Sequence, residues 1–149
     1  MTAPAIAAAT PTALSRSVAP TVPDLAGVRV GCDVVDVDAL ARRLERTPDL
    51  LHRLFTEAEV ADAMRGNTPV SSPVATRRLA ARAAAKEAAY KALGMPGLGF
   101  GDVEVRCDPT GAPHLWLFGE AHPAAVSLSH DGSVAMAVVA LLVTDLPKE

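Results

Sequence analysis

The order of hydrophobic and polar residues divides the chain into a helical first half and a strand-rich second half. Residues 1–27 are rich in Ala, Pro and Thr and predict a disordered leader. A valine-rich run over 28–35 predicts a short buried strand. Acidic residues beginning with Asp36 open a helix that reaches Arg46, because carboxylates favour the positive end of a helix and arginines the negative end. The folded domain is therefore expected over 28–149.

Two further helices are predicted downstream. Thr56 and Glu59 have the spacing of a capping box, in which each side chain bonds the other residue's backbone N–H at a helix start. Residues 65–73 have the composition of a loop. Residues 75–93 form an alanine-rich stretch that ends at Gly94, and a glycine there is typical of a helix C-terminus. The sequence thus predicts one long helix in the middle of the chain.

Alternating apolar and polar positions predict paired strands in the remainder. Residues 102–107 and 113–118 form a hairpin around the turn at 108–111, and residues 126–129 and 134–143 form a last pair. Helices followed by antiparallel strands indicate an α+β fold, with an antiparallel sheet packed against the long central helix. The larger side chains expected in its core are Leu54, Phe55, Phe100, Trp116 and Phe118. The thiols expected to be buried are Cys32 and Cys107.

Composition and charge narrow the functional classes. The chain of 149 residues has a net charge of -3 and a pI near 5.8, whereas nucleic-acid-binding surfaces are normally basic. No apolar run in the sequence is long enough to span a membrane. Two cysteines without motif spacing fit free thiols in a reducing cytoplasm. Most basic residues lie between positions 42 and 91, so this segment can attract an acidic partner or a phosphate ligand.

Two carboxylates are the strongest candidates for chemistry. Asp33 interrupts an apolar strand, where a carboxylate is costly unless it caps a helix, is paired or binds a metal. Glu87 lies four residues before Lys91 on the long helix, and such a pair alone is an ordinary helix-surface contact. Taken together, Asp33 and Glu87 are the oxygen ligands that Mg²⁺ accepts when substrate phosphates complete its octahedron.

Two other motifs carry weaker signals. Residues 127–132 contain Ser, His and Asp, but adjacent residues cannot form a hydrolase triad, and no nucleophile elbow is present. We expect a polar turn there, in which His130 can contact a ligand phosphate. Gly97, Gly99 and Gly101 follow a helix instead of opening one, so they are not a dinucleotide fingerprint. These glycines would let the backbone approach an extended ligand closely.

Four blocks of sequence resemble the holo-acyl carrier protein synthase family, the small 4′-phosphopantetheinyl transferases. They are VGCDVVD at 30–36, FTEAE at 55–59, RAAAKEAAYKALG at 82–94 and VSLSHD at 126–131. Their order and separation match the family, and the first and third blocks in combination are specific to it. The resemblance covers residues 28–142 and implies a 4′-phosphopantetheinyl transferase-like fold.

The resemblance also implies an enzymatic reaction. Such enzymes move the phosphopantetheine arm of coenzyme A to a serine of an apo acyl carrier protein and release adenosine 3′,5′-bisphosphate. Asp33 and Glu87 match the family's Mg²⁺ ligands, and Lys91 matches the lysine beside the transferred phosphate. These three are the expected catalytic residues. A metal-bound water or Glu87 would accept the serine proton, and the sequence leaves both alternatives open.

Contacts to coenzyme A and an assembly are implied in the same way. Arg82 matches an arginine on the nucleotide phosphates, with Lys86 beside it, and His130 matches a histidine at the same end. The full expected set of cofactor-binding residues is Arg82, Lys86, Gly97, Gly99, Gly111, Pro113 and His130. Small members of the family are homotrimers with shared active sites. A cytoplasmic homotrimer that acts on an acidic carrier protein in fatty acid biosynthesis is therefore expected.

The chain departs from the family pattern where the carrier protein docks. The family usually has an arginine six residues after the metal-binding aspartate, and this chain has Ala39. Arg42, Arg43 or Arg46 could replace it, because association with an acidic partner is steered by summed charge. The carrier thus stays open between those of fatty acid, polyketide and peptide synthases. A second basic position, which contacts phosphate in the family, is also unmatched, and its nearest candidates are Arg77 and Arg78.

Two non-enzymatic interpretations compete with this one. A binding module of the same fold could hold coenzyme A or a carrier protein without transfer, but such a module needs no pair of metal ligands beside a lysine. Alternatively, the charged helix is scaffolding in a structural α+β protein, and Glu87→Gln would then change neither stability nor ligand binding.

Overall fold

The computed structural model describes residues 27–147, so the predicted leader lies outside the described part except for Gly27. The helices are α1 (Val37–Arg46), α2 (Leu50–Leu54), α3 (Glu57–Ala63) and α4 (Pro73–Leu93). The strands are β1 (Val28–Asp36), β2 (Val103–Cys107), β3 (Pro113–Leu117), β4 (Glu120–His122), β5 (Ala125–Asp131) and β6 (Val134–Leu142), and a 3-10 turn follows at Val143–Asp145. This order confirms the predicted α+β fold.

Two antiparallel sheets pack against α4. The first sheet has the order β1-β6-β5 and the second has the order β2-β3-β4. β1 pairs with β6 along its whole length, which places Asp33 opposite Ala137. α4 lies on the inner face of the first sheet and also contacts β2 of the second. The central helix is therefore confirmed, and the strands form two sheets where one was expected.

α4 forms because both of its ends are capped and its interior is rich in alanine. The Ser72 hydroxyl accepts a hydrogen bond from the Ala75 N–H, and Pro73 occupies the first turn. Gly94 ends the helix in the left-handed conformation with a φ of 64°. Most alanines of α4 are buried, on sides that face the sheets and on sides that face α1 and α3. α4 is thus a core helix, and no helix within residues 27–147 is long and apolar enough to cross a membrane.

The shorter helices begin where their caps predict. The Asp36 carboxylate accepts a hydrogen bond of 2.8 Å from the Ala39 N–H and starts α1, so Asp36 is the cap and Asp33 is free for another role. Thr56 and Glu59 form the predicted capping box at the start of α3. α2 was not predicted, because a helix of five residues is too short to produce a periodic pattern.

β1 is an edge strand with one exposed face, and the prediction of a buried strand is wrong for that face. Val30 and Val34 are 61% and 59% exposed. Cys32 lies between them and is also exposed, while Cys107 is half-buried, so the two thiols are not the buried pair expected. The exposed face cannot be recognised in the sequence, because valines occupy both faces of the strand. The alternation of apolar and polar residues that indicates a solvated face is therefore missing.

The aromatic residues of the second sheet also differ from the prediction. Phe118 is exposed and has a φ of 52° in the turn between β3 and β4. Trp116 is half-buried, with the Arg106 guanidinium 3.9 Å above its ring. Leu115 and Leu117, on the opposite face of β3, supply the core instead. Of the aromatic side chains predicted in the core, Phe55 is the one that is fully buried.

Gly31 allows β1 to lie directly against α4. A Cβ atom at this position would overlap the Ala88 carbonyl oxygen and would also crowd the Ala92 N–H. Only glycine permits an approach of strand to helix at this distance. Asp33 is two residues further along β1 and shares the face of Gly31, so the same contact aims Asp33 at the helix.

We predict that Gly31→Ala lowers the free energy of unfolding by about 1–3 kcal/mol, because the strand must move away from the helix backbone. Urea unfolding measures this change. Gly101→Ala is the matched control, since no atom lies within 4 Å of a Cβ there. An equal effect of the two substitutions would contradict the close approach.

Candidate active site

Asp33 and Lys91 bring β1 and α4 together through an ion pair. Lys91 Nζ lies 2.7 Å from Asp33 Oδ1 and also donates a hydrogen bond of 2.8 Å to the Cys32 carbonyl. The bond to Asp33 raises the pKa of Lys91, so this side chain stays a cation. Its side chain is half exposed, which leaves it accessible to a ligand. The resemblance gave both residues roles at one reaction centre, and the structure places them in direct contact.

Asp33 and Glu87 line a single cleft of about 450 Å³, which we name the carboxylate cleft. Leu40, Leu54 and Phe100 supply apolar walls, and Arg43 from α1 adds a basic side chain. Glu87 enters from α4 one turn before Lys91, and Asp33 enters from β1. The cleft therefore brings together carboxylates from β1 and α4, and Lys91, which does not itself line the cleft, is hydrogen-bonded to Asp33.

The donor set of the carboxylate cleft fits Mg²⁺ that is shared with a phosphate ligand. Within residues 27–147 no group of three or more Asp, Glu, His or Cys side chains could hold a metal ion without further ligands. Mg²⁺ commonly uses only one or two protein carboxylates and fills its octahedron with water and substrate phosphates. Asp33 and Glu87 provide such a pair, because both face the same open cleft.

Lys86 does not lie where a cofactor contact was predicted. Its side chain is fully buried, and Nζ is 2.6 Å from Glu59 Oε2. Nζ also donates hydrogen bonds to the carbonyls of Leu54 and Phe100. Burial lowers the pKa of Lys86, and the Glu59 carboxylate opposes that shift. Because all three donors of the ammonium are used inside the protein, Lys86 is removed from the predicted cofactor-binding set.

Arg82 is also buried, in a position that the predicted phosphate contact did not anticipate. Its guanidinium pairs with the Asp62 carboxylate and donates a hydrogen bond of 3.0 Å to the Arg78 carbonyl. Its side chain is only 3% exposed. Among the described residues its Nε has no hydrogen-bond partner. A direct grip of Arg82 on an external phosphate would thus require the Asp62 pair to open.

The remaining predicted contacts lie outside the carboxylate cleft of the described chain. Gly97 and Gly99 are exposed in the connector after α4, and Gly111 has a φ of 91° in the turn between β2 and β3. His130 is exposed near the end of β5. Neither these positions nor Pro113 line the carboxylate cleft.

Several residues of the site were not identified from the sequence. Asp36 lines the carboxylate cleft as well as capping α1, and Leu54 and Phe100 form its walls. Glu59 is fully buried beneath the cleft as the partner of Lys86. The role of Glu59 could have been suspected from the sequence. Glu59 belongs to the capping box of α3, and the alanine-rich helix α4 that follows carries cations that need an acidic partner once they are buried. Phe100 offered a weaker signal, as an aromatic residue between two glycines.

Comparison with known proteins identifies the family of the chain. Residues 29–140 match the family model of the 4′-phosphopantetheinyl transferase superfamily. A holo-[acyl-carrier-protein] synthase of Salinispora arenicola is 48% identical over 122 residues, which are 75% of this chain and 95% of that protein. One of Frankia alni is 46% identical over 125 residues, covering 77% of this chain and 97% of that protein.

Solved structures have the same fold. The ACPS-CoA complex of Chronobacterium ammoniagenes matches with a TM-score of 0.64 and 30% identity, over 77% of this chain and 96% of that one. A holo-(acyl-carrier-protein) synthase of Bacillus anthracis in complex with CoA (3′,5′-ADP) matches with a TM-score of 0.62 and 32% identity, over 76% and 95%. The chain therefore belongs to the holo-acyl carrier protein synthase family of the 4′-phosphopantetheinyl transferase superfamily.

Proposed function

We propose that the chain transfers the 4′-phosphopantetheine arm of coenzyme A to a serine of an apo acyl carrier protein. The observation that carries this proposal is the carboxylate cleft, in which Asp33 and Glu87 lie together and Asp33 is bonded to Lys91. The relatives named holo-[acyl-carrier-protein] synthase and the coenzyme A complexes of similar structures support it. The products are the holo carrier protein and adenosine 3′,5′-bisphosphate.

The reaction is a displacement at the phosphorus that carries the pantetheine arm. The serine oxygen forms a bond to this phosphorus, and the bond to the bridging oxygen of the pyrophosphate breaks, so that the bisphosphate leaves. Mg²⁺ held by Asp33 and Glu87 would neutralise charge on the pyrophosphate. Lys91 adds a fixed positive charge beside the transferred group, because Asp33 and the Cys32 carbonyl hold its ammonium in place.

The proton of the serine must move to a base as the new bond forms. Asp33 is a weak candidate because it already accepts a hydrogen bond from Lys91. Glu87 lines the cleft, and its carboxylate has no protein hydrogen bond among the described residues. Of the two proposed metal ligands, Glu87 is thus the better acceptor for this proton.

We predict that Glu87→Gln and Asp33→Asn each lower transfer at least about a hundredfold while the protein stays folded. Both changes keep the side-chain shape and remove the charge that Mg²⁺ needs. The measurement is the intact mass of an apo carrier protein after incubation with coenzyme A and Mg²⁺, with circular dichroism as a check of folding. Addition of a chelator to the unchanged protein should abolish transfer as well.

Asp38→Asn is the matched control for these carboxylate substitutions, because Asp38 is exposed in the first turn of α1 and does not line the cleft. Its transfer rate should equal that of the unchanged protein. Normal transfer by Glu87→Gln would contradict the metal assignment. Binding of coenzyme A without transfer by the unchanged protein would favour the binding module instead.

The carrier protein is proposed to dock on α1. Arg42, Arg43 and Arg46 are exposed on this helix, and Arg43 lines the carboxylate cleft. Ala39, which stands where the family usually has its docking arginine, lines the cleft too and is half-buried. The three arginines therefore provide positive charge about one to two turns beyond Ala39 on the same helix, and Arg43 carries that charge to the cleft itself. Such charge steers an acidic partner to its site.

We predict that Arg42→Glu combined with Arg46→Glu raises the KM for an acidic carrier protein about tenfold or more and leaves the Kd for coenzyme A within about twofold. Steady-state kinetics at low and at high salt measures the first quantity, and calorimetry measures the second. The difference from the unchanged protein should shrink at high salt, because exposed charges are screened. An equal loss for both ligands would place α1 outside the carrier-docking surface.

A homotrimer is proposed from the exposed face of the first sheet. Val30 and Val34 of β1, with Met136 and Leu142 of β6, are large apolar side chains on this face, and each is at least 42% exposed. Val34 pairs directly with Met136, so the apolar surface is continuous across the two strands. A contiguous apolar surface on a soluble domain marks an interface. A second and a third copy of the chain are the proposed occupants, in keeping with the expected shared sites.

We predict that Val34→Glu converts the trimer to monomers, because it places a charge inside the apolar interface. Light scattering coupled to size exclusion measures the mass. Val74→Glu is the control, since Val74 is an exposed valine in the first turn of α4, away from this sheet. A monomeric mass for the unchanged protein would contradict the proposal, and so would a trimeric mass for Val34→Glu.

A cellular location and a pathway are also proposed. Cytoplasmic location is proposed because the chain has two free thiols, one of them exposed, and such thiols persist in a reducing compartment. Fatty acid biosynthesis is the proposed pathway, since it uses holo acyl carrier protein. An apo carrier of a polyketide or peptide synthase is the competing substrate, and a panel of the three carrier classes in the mass assay separates them.

A further inference from the structure

Lys86 and Glu59 form a buried ion pair that the proposed mechanism does not use. Both side chains are 0% exposed, and Lys86 Nζ lies 2.6 Å from Glu59 Oε2. Lys86 also donates hydrogen bonds of 2.9 Å to the Leu54 carbonyl and 2.8 Å to the Phe100 carbonyl. Desolvation of two charges offsets much of their attraction, so a buried pair is weak evidence for a role in stability alone.

The two carbonyl acceptors belong to the walls of the carboxylate cleft. Leu54 is the last residue of α2, and Phe100 lies in the connector between α4 and β2. Both residues line the cleft with Glu87. Lys86 directly precedes Glu87 on α4. Glu87 lines the cleft, and Lys86 holds two of the cleft walls through the Leu54 and Phe100 carbonyls.

The connector between α4 and β2 is fixed at Phe100 by contacts with α4, because its glycine-rich sequence does not by itself favour one backbone conformation. Phe100 stands between Gly99 and Gly101, whose backbones have wide conformational freedom. The hydrogen bond from Lys86 Nζ ties the Phe100 backbone to α4. The Phe100 ring meets the Tyr90 ring edge to face, with 5.4 Å between the centroids. One hydrogen bond from the Lys86 side chain and one ring contact thus hold this wall against the helix.

Glu59 in turn fixes the position of the Lys86 ammonium. Its Oε2 accepts a hydrogen bond of 2.9 Å from the Thr56 N–H, and its Oε1 accepts one of 2.9 Å from the Val105 N–H. The carboxylate is therefore bound to the start of α3 and to β2 at once. Lys86 is held by a group that cannot move without breaking bonds in two other elements.

We infer that Lys86 is a positioning residue for the transfer reaction. Held by Glu59, it fixes the backbones of Leu54 and Phe100 and so keeps the apolar walls of the carboxylate cleft in register with Glu87. The inference rests on the proposed function. A displacement of a reacting group by about 1 Å can cost on the order of a hundredfold in rate, so loss of the anchor should act on turnover.

The test uses the double variant Glu59→Gln with Lys86→Met. It removes both charges together, so that neither charge is left buried without its partner. At a temperature where circular dichroism shows every protein folded, kcat at saturating coenzyme A, Mg²⁺ and carrier protein should fall about tenfold or more. Leu79→Ala is the control, because Leu79 is fully buried but does not line the cleft. Its kcat should stay within about twofold of the unchanged value.

The outcomes separate the inference from the proposed function. Normal kcat in the folded double variant, with transfer by the unchanged protein, overturns the positioning role and leaves the function intact. Absence of transfer by the unchanged protein overturns the function. That result also overturns the positioning role, which exists only for the transfer reaction. If the double variant does not fold, Glu59→Gln with Lys86→Gln is measured in its place, because it also removes both charges and keeps polar side chains, and an unchanged kcat is again the contradicting result.

Discussion

The candidate active site depends on the close contact between β1 and α4. Gly31 leaves no side chain between the strand and the Ala88 carbonyl, so the two backbones approach more closely than other residues allow. Asp33, from the strand, can then meet Lys91, from the helix, at 2.7 Å. A wider separation would leave an unpaired aspartate beside an apolar strand, which is costly. The proposed catalytic groups Asp33 and Lys91 are thus brought together by backbone packing, and their charges stabilise an arrangement that glycine and alanine make possible.

α3 provides acidic partners for two buried cations of α4. α4 carries Arg82 and Lys86 among alanines, and both side chains are buried. α3 supplies Asp62 for the first and Glu59 for the second. The two acids are three residues apart and the two cations are four apart, so each set lies on one side of its helix. This pairing holds α3 against α4. It does not involve Glu87, which lines the carboxylate cleft, or Lys91, which pairs with Asp33.

The sequence predicted the elements well because their ends carry specific signals. The capping box of Thr56 and Glu59 and the glycine after α4 depend on local hydrogen bonds, which short motifs record. The resemblance also implied that Asp33, Glu87 and Lys91 belong to one site, and the structure brings Asp33 and Lys91 into contact. Burial was predicted less well. Lys86 was expected beside Arg82 among the cofactor contacts, and only the three-dimensional position of Glu59 shows that its ammonium is used inside the protein.

The exposure of one face of β1 was also not predictable from the sequence, in this case because the residues are apolar. A run of valines fits a strand that is buried on both faces, and it fits equally a strand whose outer face is an interface. Sequence periodicity cannot distinguish them, because an interface and a core select the same side chains. Phe118 illustrates a further limit, since its exposure follows from a left-handed backbone in a turn, which the alternation of the neighbouring strand does not record.

Because α4 is buried on several sides, its contacts determine how the domain unfolds. One apolar cluster combines alanines of α4 with Val139 of the first sheet and with Val105 and Leu115 of the second. Neither sheet has a core separate from the helix, so melting of either one uncovers the surface that the other needs. Denaturation of the domain is therefore a single cooperative event, and partial unfolding is confined to segments outside this cluster.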